Sequence, residues 1–364
     1  MKKIFLSILL LITFFAPIYA QDSEVEQYKG KVVLKEEVSC GDIFEDTHSC
    51  YEYEVYISKT DETVRTVQSM LEKGEPGYAV GDAVFLSSWF DGQEMEDVWT
   101  IVGYSRGTII LFLVILFIIV ALFVGGKRGF GSLISLIISF LVLYSFMIPN
   151  MLRTNQVILY GYLAIILILG LTIYLSHGFS KMTTVALIST VVGVTIISIV
   201  AYVFIRVANL TGAGEEDAFF LLSQTEGTIN LRNVFFMSIV IGSVGVLDDV
   251  AVGQVFSMYE VYKANPSMSS IELFKSGMNV GREHVSSMIN TLFIVYAGSS
   301  LALVMLLAQR EGSFANIINI DIISEEIIRT ISVSLGLLLV VPLSTFIASK
   351  SLILWSDKGT KTLV

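Results

Sequence analysis

The sequence predicts a membrane-embedded all-α bundle of about seven transmembrane helices, preceded by a small, mainly β extracytoplasmic N-terminal domain. Two observations carry this reading. Of the 364 residues 54% are hydrophobic and only 15% charged, and the apolar residues come in long unbroken runs rather than amphipathic ones, which is membrane composition. Ahead of those runs lies an acidic, polar stretch of short β-prone segments, the pattern of a small sheet domain in water.

Residues 1–20 start Met1-Lys2-Lys3, continue with an apolar run from Ile4 to Phe15 and close Ala16-Pro17-Ile18-Tyr19-Ala20 before Gln21. Basic, apolar and small-residue regions in that order read as a cleavable signal peptide. Ile18 stands at a position where Ala is commoner, so an uncleaved signal anchor is the alternative. Both export residues 21–105.

The exported stretch, counted through Arg106, carries 19 Asp and Glu against 7 Lys and Arg, more than the whole chain's net charge of -10. That sign excludes a nucleic-acid partner. Tyr51 to Ile57 and Ala83 to Leu86 read as strands, with turn signals at Gly74 to Gly77 and Asp91-Gly92. Val64, Val67 and Leu71 recur at helical spacing, so one short helix is expected over Glu62 to Leu71. Both cysteines, Cys40 and Cys50, lie in this domain. In an oxidising compartment the simplest expectation is a disulfide that closes a short loop and supports a modest core. The competing expectation is a zinc or copper site on Cys40, His48 and Cys50, with Asp42 or Asp46.

Seven apolar stretches follow, near 107–126, 130–149, 156–176, 182–206, 233–253, 285–308 and 328–349, within a membrane domain of 106–350 and ahead of a tail of 351–364. Each is long enough to cross about 30 Å of hydrocarbon. With the β domain outside, the inner loops and tail hold Lys127, Arg128, Lys181, Lys263, Lys275, Arg282, Lys350, Lys358 and Lys361. The opposite ends hold Arg153, Arg206, Arg232, Arg310 and Arg329. Nine against five favours this orientation and a cytoplasmic C-terminus. The outer loop 207–232 contains Gly214-Glu215-Glu216-Asp217 and Phe219-Phe220, and reads either as an interfacial cover or as an acidic solvated loop. The inner segment 254–284 reads as two short helices broken near Asn265-Pro266, the second opened by the Ser269 and Glu272 capping-box spacing. Its apolar residues suit the bundle or a protein partner.

The chemistry is expected on the fifth and sixth helices. A carboxylate deep in a membrane helix costs roughly 2.5 to 3.5 kcal/mol and by default marks an ion path, a proton relay or a polar joint. Asp248 and Asp249 are adjacent at the inner end of the fifth helix. Ser238, Gly242 and Gly245 form a small-residue stripe suited to close helix packing, and Asp249 continues it, whereas Asp248 points about 100° away. On the sixth helix Glu283, Ser287, Asn290 and Ile294 share a face that Gly298 continues, beside Arg282 and His284. Asp248, Asp249, Glu283, His284 and Asn290 are therefore the candidate ion- or proton-coupling residues. The plain alternative makes the polar groups interfacial anchors and interhelical hydrogen bonds.

The runs Gly245-Val-Leu-Asp248-Asp249-Val-Ala-Val-Gly253-Gln254, Val280-Gly281-Arg282-Glu283-His284, Asn290-Thr291-Leu292 and Tyr296-Ala-Gly298, with the approach from Val98 to Arg106, make residues 100–355 resemble the YibE/F family of bacterial multipass membrane proteins. The resemblance implies an inner or plasma-membrane protein, usually supposed to be a permease, and carries over no established catalytic or ligand residue. Similar proteins often have a proline after the Tyr-Ala-Gly run where this chain has Leu301-Ala302-Leu303, so a straighter sixth helix is expected here.

The first reading is a secondary permease with a cation- or proton-coupled acidic site between helices five and six. The alternative is a non-transporting envelope scaffold or sensor whose exported domain binds a partner. The chain lacks a Gly-x-x-x-x-Gly-Lys-Ser/Thr loop, a His-Glu-x-x-His site and a Gly-x-Ser-x-Gly elbow, and its two acids are sequence neighbours rather than a facing dyad. An intramembrane enzyme is the least favoured reading, and no cofactor is expected.

Overall fold

The computed structural model describes residues 27–39, 48–72, 77–90, 97–309 and 314–357. The signal-peptide segment, Cys40 and the side chain of His48 lie outside the described residues, so the disulfide and the metal site both remain expectations. Two compact units are present, the first within residues 18–120 and the second from Ala121 onward.

In the first unit five antiparallel strands, β1 (Gln27–Val38), β2 (His48–Ile57), β3 (Glu62–Glu72), β4 (Ala83–Phe90) and β5 (Asp97–Tyr104), pair in the order β3-β2-β1-β4-β5. Alternation explains the core: Tyr53, Val55 and Ile57 on β2 point inward with Val32, Val84 and Leu86. The hydroxyl of buried Tyr53 accepts from Tyr78 N at 3.1 Å, so its polar end is satisfied. Gly30 lets β2 approach, because a Cβ there would overlap Val55 Cγ1. The helix expected over Glu62 to Leu71 is instead β3. Thr63, Val64, Thr66 and Val67 favour strand as β-branched residues, and Val64 and Thr66 turn inward at period two, with Thr66 Oγ1 donating to Tyr53 O at 3.3 Å. Pairing with β2 overrode a helical spacing that was coincidental.

From Gly107 the chain is helical: α1 (Gly107–Leu141), a π-helical turn (Val142–Met147), α2 (Ile148–Thr154), α3 (Val157–His177), α4 (Lys181–Val207), α5 (Glu216–Gln224), α6 (Leu231–Ala264), α7 (Ser270–Ser299), α8 (Leu301–Gln309), α9 (Phe314–Ile317) and α10 (Asp321–Asp357). α1 is broken at Gly126, whose φ of 54° is the left-handed value glycine adopts freely, so the first two apolar stretches are separate segments. Among the described residues six helical segments are long and apolar enough to cross a membrane, and a seventh crossing arises if α7 and α8 count as one bent span. The fold is a membrane all-α bundle with a small N-terminal antiparallel sheet.

The straight sixth helix is not found: α7 and α8 meet at 73° about Ser300. Ser300 ends the α7 backbone ladder with φ -102° and ψ 25°, a bend made without proline. The two short helices expected over the inner segment are instead the ends of two long ones. α6 and α7 simply continue to a turn at Asn265–Pro266, and Ser269 and Glu272 form the expected capping box, with Ser269 N donating to Glu272 Oε2 at 2.9 Å. At about 1.5 Å per residue the 34 residues of α6 run about 51 Å, well beyond the hydrocarbon thickness.

Small residues hold the bundle. A Cβ at Gly161 on α3 would overlap Met237 Cε on α6, one at Gly336 on α10 would overlap Ile197 on α4, and one at Gly281 on α7 would overlap Val341 on α10. Several buried hydroxyls donate within their own helices, Ser189, Thr190, Ser198 and Thr345 each to the carbonyl four residues earlier, whereas Ser135 on α1 donates to Thr172 O on α3 at 3.4 Å. One end of the bundle gathers the start of α4, the ends of α6 and α10 and the start of α7 around Met182, Met258, Leu273 and Leu352.

Candidate functional site

α6 brings Asp248 and Asp249 to the middle of its length, the 18th and 19th of its 34 residues. Counting about twenty residues of hydrocarbon from Leu231, where Arg232 anchors the helix end, puts both acids near the far boundary of the apolar layer. The two side chains diverge as their 100° offset requires. Asp248 is half-buried and its Oδ1 is buried with no hydrogen-bond partner among the described residues. Asp249 is exposed on the open face of α6.

The small-residue stripe shares that open face. Ser238, Gly242 and Gly245 are exposed, and a Cβ at Gly242, Gly245 or Gly298 would meet nothing within 4 Å among the described residues. Within the chain, close packing is therefore carried by Gly161, Gly193, Gly277, Gly281 and Gly336, not by the stripe. α7 packs on α6 and α10 through Leu273, Gly277 and Gly281. Beyond Gly281 its polar residues Arg282, Glu283, His284, Ser287, Asn290 and Thr291 are exposed. The sequence-predicted coupling residues thus occupy two helices that pack together, but no hydrogen bond or ion pair joins any two of them among the described residues. No group of three His, Cys, Asp or Glu side chains among the described residues could hold a metal ion.

One polar joint lies just beyond the acids. Gln254, 5% exposed, donates through Nε2 to Gly277 O at 2.9 Å on α7 and to Thr345 Oγ1 at 2.8 Å on α10. A second polar cluster occupies the other end of the bundle. Glu325 on α10 is 3% exposed, and its Oε1 accepts from Gly212 N at 2.8 Å. Gly212 has φ +79° and no room for a Cβ against Leu231 O, so that donor requires glycine. Next to it Arg329 donates to Glu326 Oε2 at 2.9 Å and to Glu215 Oε1 at 3.1 Å, and lies 5.4 Å from the Phe235 ring centre. The loop before α6 is therefore strapped to α10 rather than free in solvent.

Residues 113–353 match the family described as YibE/F-like protein. The chain belongs to the YibE/F family. Neither the curated proteins nor the solved structures offer a match to it. In this YibE/F protein the matched region takes in α6, α7 and nearly all of α10, so both polar clusters lie within the part the family shares. The Glu325, Glu326 and Arg329 cluster escaped the sequence reading, which counted Arg329 only among the charges at the outer ends and did not single out the two acids. The available signal was Gly212-Ala-Gly214, two glycines directly ahead of the three acids Glu215, Glu216 and Asp217.

Proposed function

We propose that this YibE/F-family protein is a secondary permease of the bacterial plasma membrane, cation- or proton-coupled through the acids of α6 where it adjoins α7. What supports the reading is the state of Asp248. A half-buried carboxylate whose Oδ1 has no partner among the described residues suits a group that takes up and releases a proton or cation, whereas a purely structural acid would be expected to carry a fixed hydrogen bond. Asp249 is the second acid, and Glu283, His284 and Asn290 supply further oxygen and nitrogen ligands from α7 when the two helices close on each other. The protein is read as non-enzymatic. Its β domain lies outside the cell with Cys40 and Cys50 joined, and its C-terminus lies in the cytoplasm.

The test is paired. Asp248→Asn and Asp249→Asn keep size and hydrogen-bonding atoms but cannot exchange a proton. Both should insert and melt like the parent while ion-dependent flux in proteoliposomes, read against a panel of cations and small anions, is lost. Full flux with both folded amides would overturn the coupling role.

A second reading, a scaffold or sensor, is favoured by one observation. Asp249, Glu283, His284 and Asn290 all face outward from the chain, as residues awaiting a protein partner would, and the 254–284 hairpin adds exposed Ile271 and Val280. Cross-linking from Asp249→Cys and Asn290→Cys, with no flux in any assay, would move the assignment to that reading.

A further inference from the structure

The 73° bend at Ser300 leaves a cavity of about 460 Å³ between α7, α8 and α10. Its walls are apolar, formed by Phe293, Leu303, Val304, Ile327 and Ile331. Glu326 and Tyr296 line it too, as do Ile317, Ile318 and Ile323 before and at the start of α10. That size falls within the roughly 300 to 1,000 Å³ of small-molecule sites.

The charge at its rim decides what fits. Arg329 serves two carboxylates, Glu326 at 2.9 Å and Glu215 at 3.1 Å, so the trio carries one net negative charge. Glu326 and Arg329 sit in the first three turns of α10 and Glu215 in the loop before α6, while Ile327, Thr330, Ile331 and Phe293 continue the apolar wall along α10 and α7. A polar head against Glu326 with an apolar body below it satisfies both halves. An anionic or phosphate-bearing head would meet two carboxylates on one guanidinium and be repelled.

We propose that this cavity is a binding site for an amphipathic monocation, an organic cation whose apolar body fills the cleft beneath the bend while its charge sits at Glu326. The site is separate from the acids of α6 and stands whether or not those acids couple transport. Its existence follows from the bend: α8 contributes Leu303, Val304 and Leu307 to the wall only because it leaves the line of α7.

Two ions of nearly the same shape and opposite charge, tetraphenylphosphonium and tetraphenylborate, test it. The full chain in phosphatidylcholine nanodiscs is dialysed against each, with protein-free nanodiscs as the partition background. Tetraphenylphosphonium should bind saturably, one per chain, and tetraphenylborate should not exceed background. Glu326→Gln should weaken the cation at least tenfold, and Ala297→Phe, which fills the cleft and leaves the ion pairs intact, should abolish binding. Ile331→Trp, on the open side of the cleft, serves as a second filler should either variant melt early. Equal binding of both ions, indifference to the fillers, or no saturable binding above the nanodisc background would each overturn the proposal.

Discussion

Gln254 on α6 and Thr345 on α10 are joined by a buried hydrogen bond of 2.8 Å, and the same amide donates at 2.9 Å to Gly277 O on α7. One side chain thereby fixes three helices a little over one turn from Asp249. Interhelical hydrogen bonds in membranes average about 0.6 kcal/mol, with a maximum near 1.7. Gln254→Leu should therefore lower stability by about 1 kcal/mol, read as a modest fall in melting temperature in detergent. An unchanged or raised melting point would assign the joint to packing alone.

Glycines at two kinds of position should behave oppositely. Gly336→Val places side-chain atoms in the space of Ile197 and should cost about 1 to 3 kcal/mol by overpacking, with reduced yield. Gly242→Ala and Gly245→Ala have open space and should leave the melting temperature of the purified chain unchanged. A drop in cells alone, with the purified variant intact, would mean that another chain covers that face.

The β unit contains a tyrosine with a displaced titration. Tyr56 donates its hydroxyl proton to Asp61 Oδ1 at 2.6 Å, and that bond together with the carboxylate charge raises its pKa above the ordinary 10. The folded state holds this proton more firmly than the unfolded one. The contribution is fully present below pH 10 and is lost as pH rises through the folded value. Tyr78 in the same unit is also raised, by burial, so phenolate absorbance should show a late-titrating group of tyrosines from which Asp61→Asn shifts one back towards the ordinary value and Tyr56→Phe removes one.

Orientation is open to labelling. Single cysteines placed between Lys263 and Arg282 should react from the cytoplasmic side, and those between Glu215 and Glu226 from the outside. Mass spectrometry without reductant should at the same time recover Cys40 and Cys50 as one linked peptide. Labelling of both loops from one side would reduce the count of crossings between them.

The sequence made the helical part of the fold legible wherever apolar runs were bounded by charge or by a capping residue. Ser269 with Glu272 located the start of α7, and Lys127 with Arg128 separated the first two apolar stretches, because both are local signals in the chain. Signals that depend on a distant neighbour were not legible. Val64, Val67 and Leu71 had helical spacing, and only pairing with β2 turned that stretch into a strand. Ser300 carries no proline, so the bend had no local mark. The candidate site divided the same way: Asp248 and Asp249 stood out as charges in an apolar run, whereas Glu325 gained its place from Gly212, 113 residues away. Gly242 and Gly245 resembled contact glycines as closely as Gly336 did, since a stripe on a helix does not say which neighbour it meets.

The serines and threonines of the bundle core have a consequence for how the molecule comes apart. Ser189, Thr190 and Ser198 spend their hydrogen bonds on their own helices, and Gly161, Gly193 and Gly336 serve contact rather than bonding. Each long helix is thus a finished object before it meets the others, in a solvent of acyl chains that gives it no reason to unwind. Disassembly in a harsh detergent then amounts to rods drifting apart: the tertiary arrangement goes, the helical circular-dichroism signal stays, and the two losses belong to different stages.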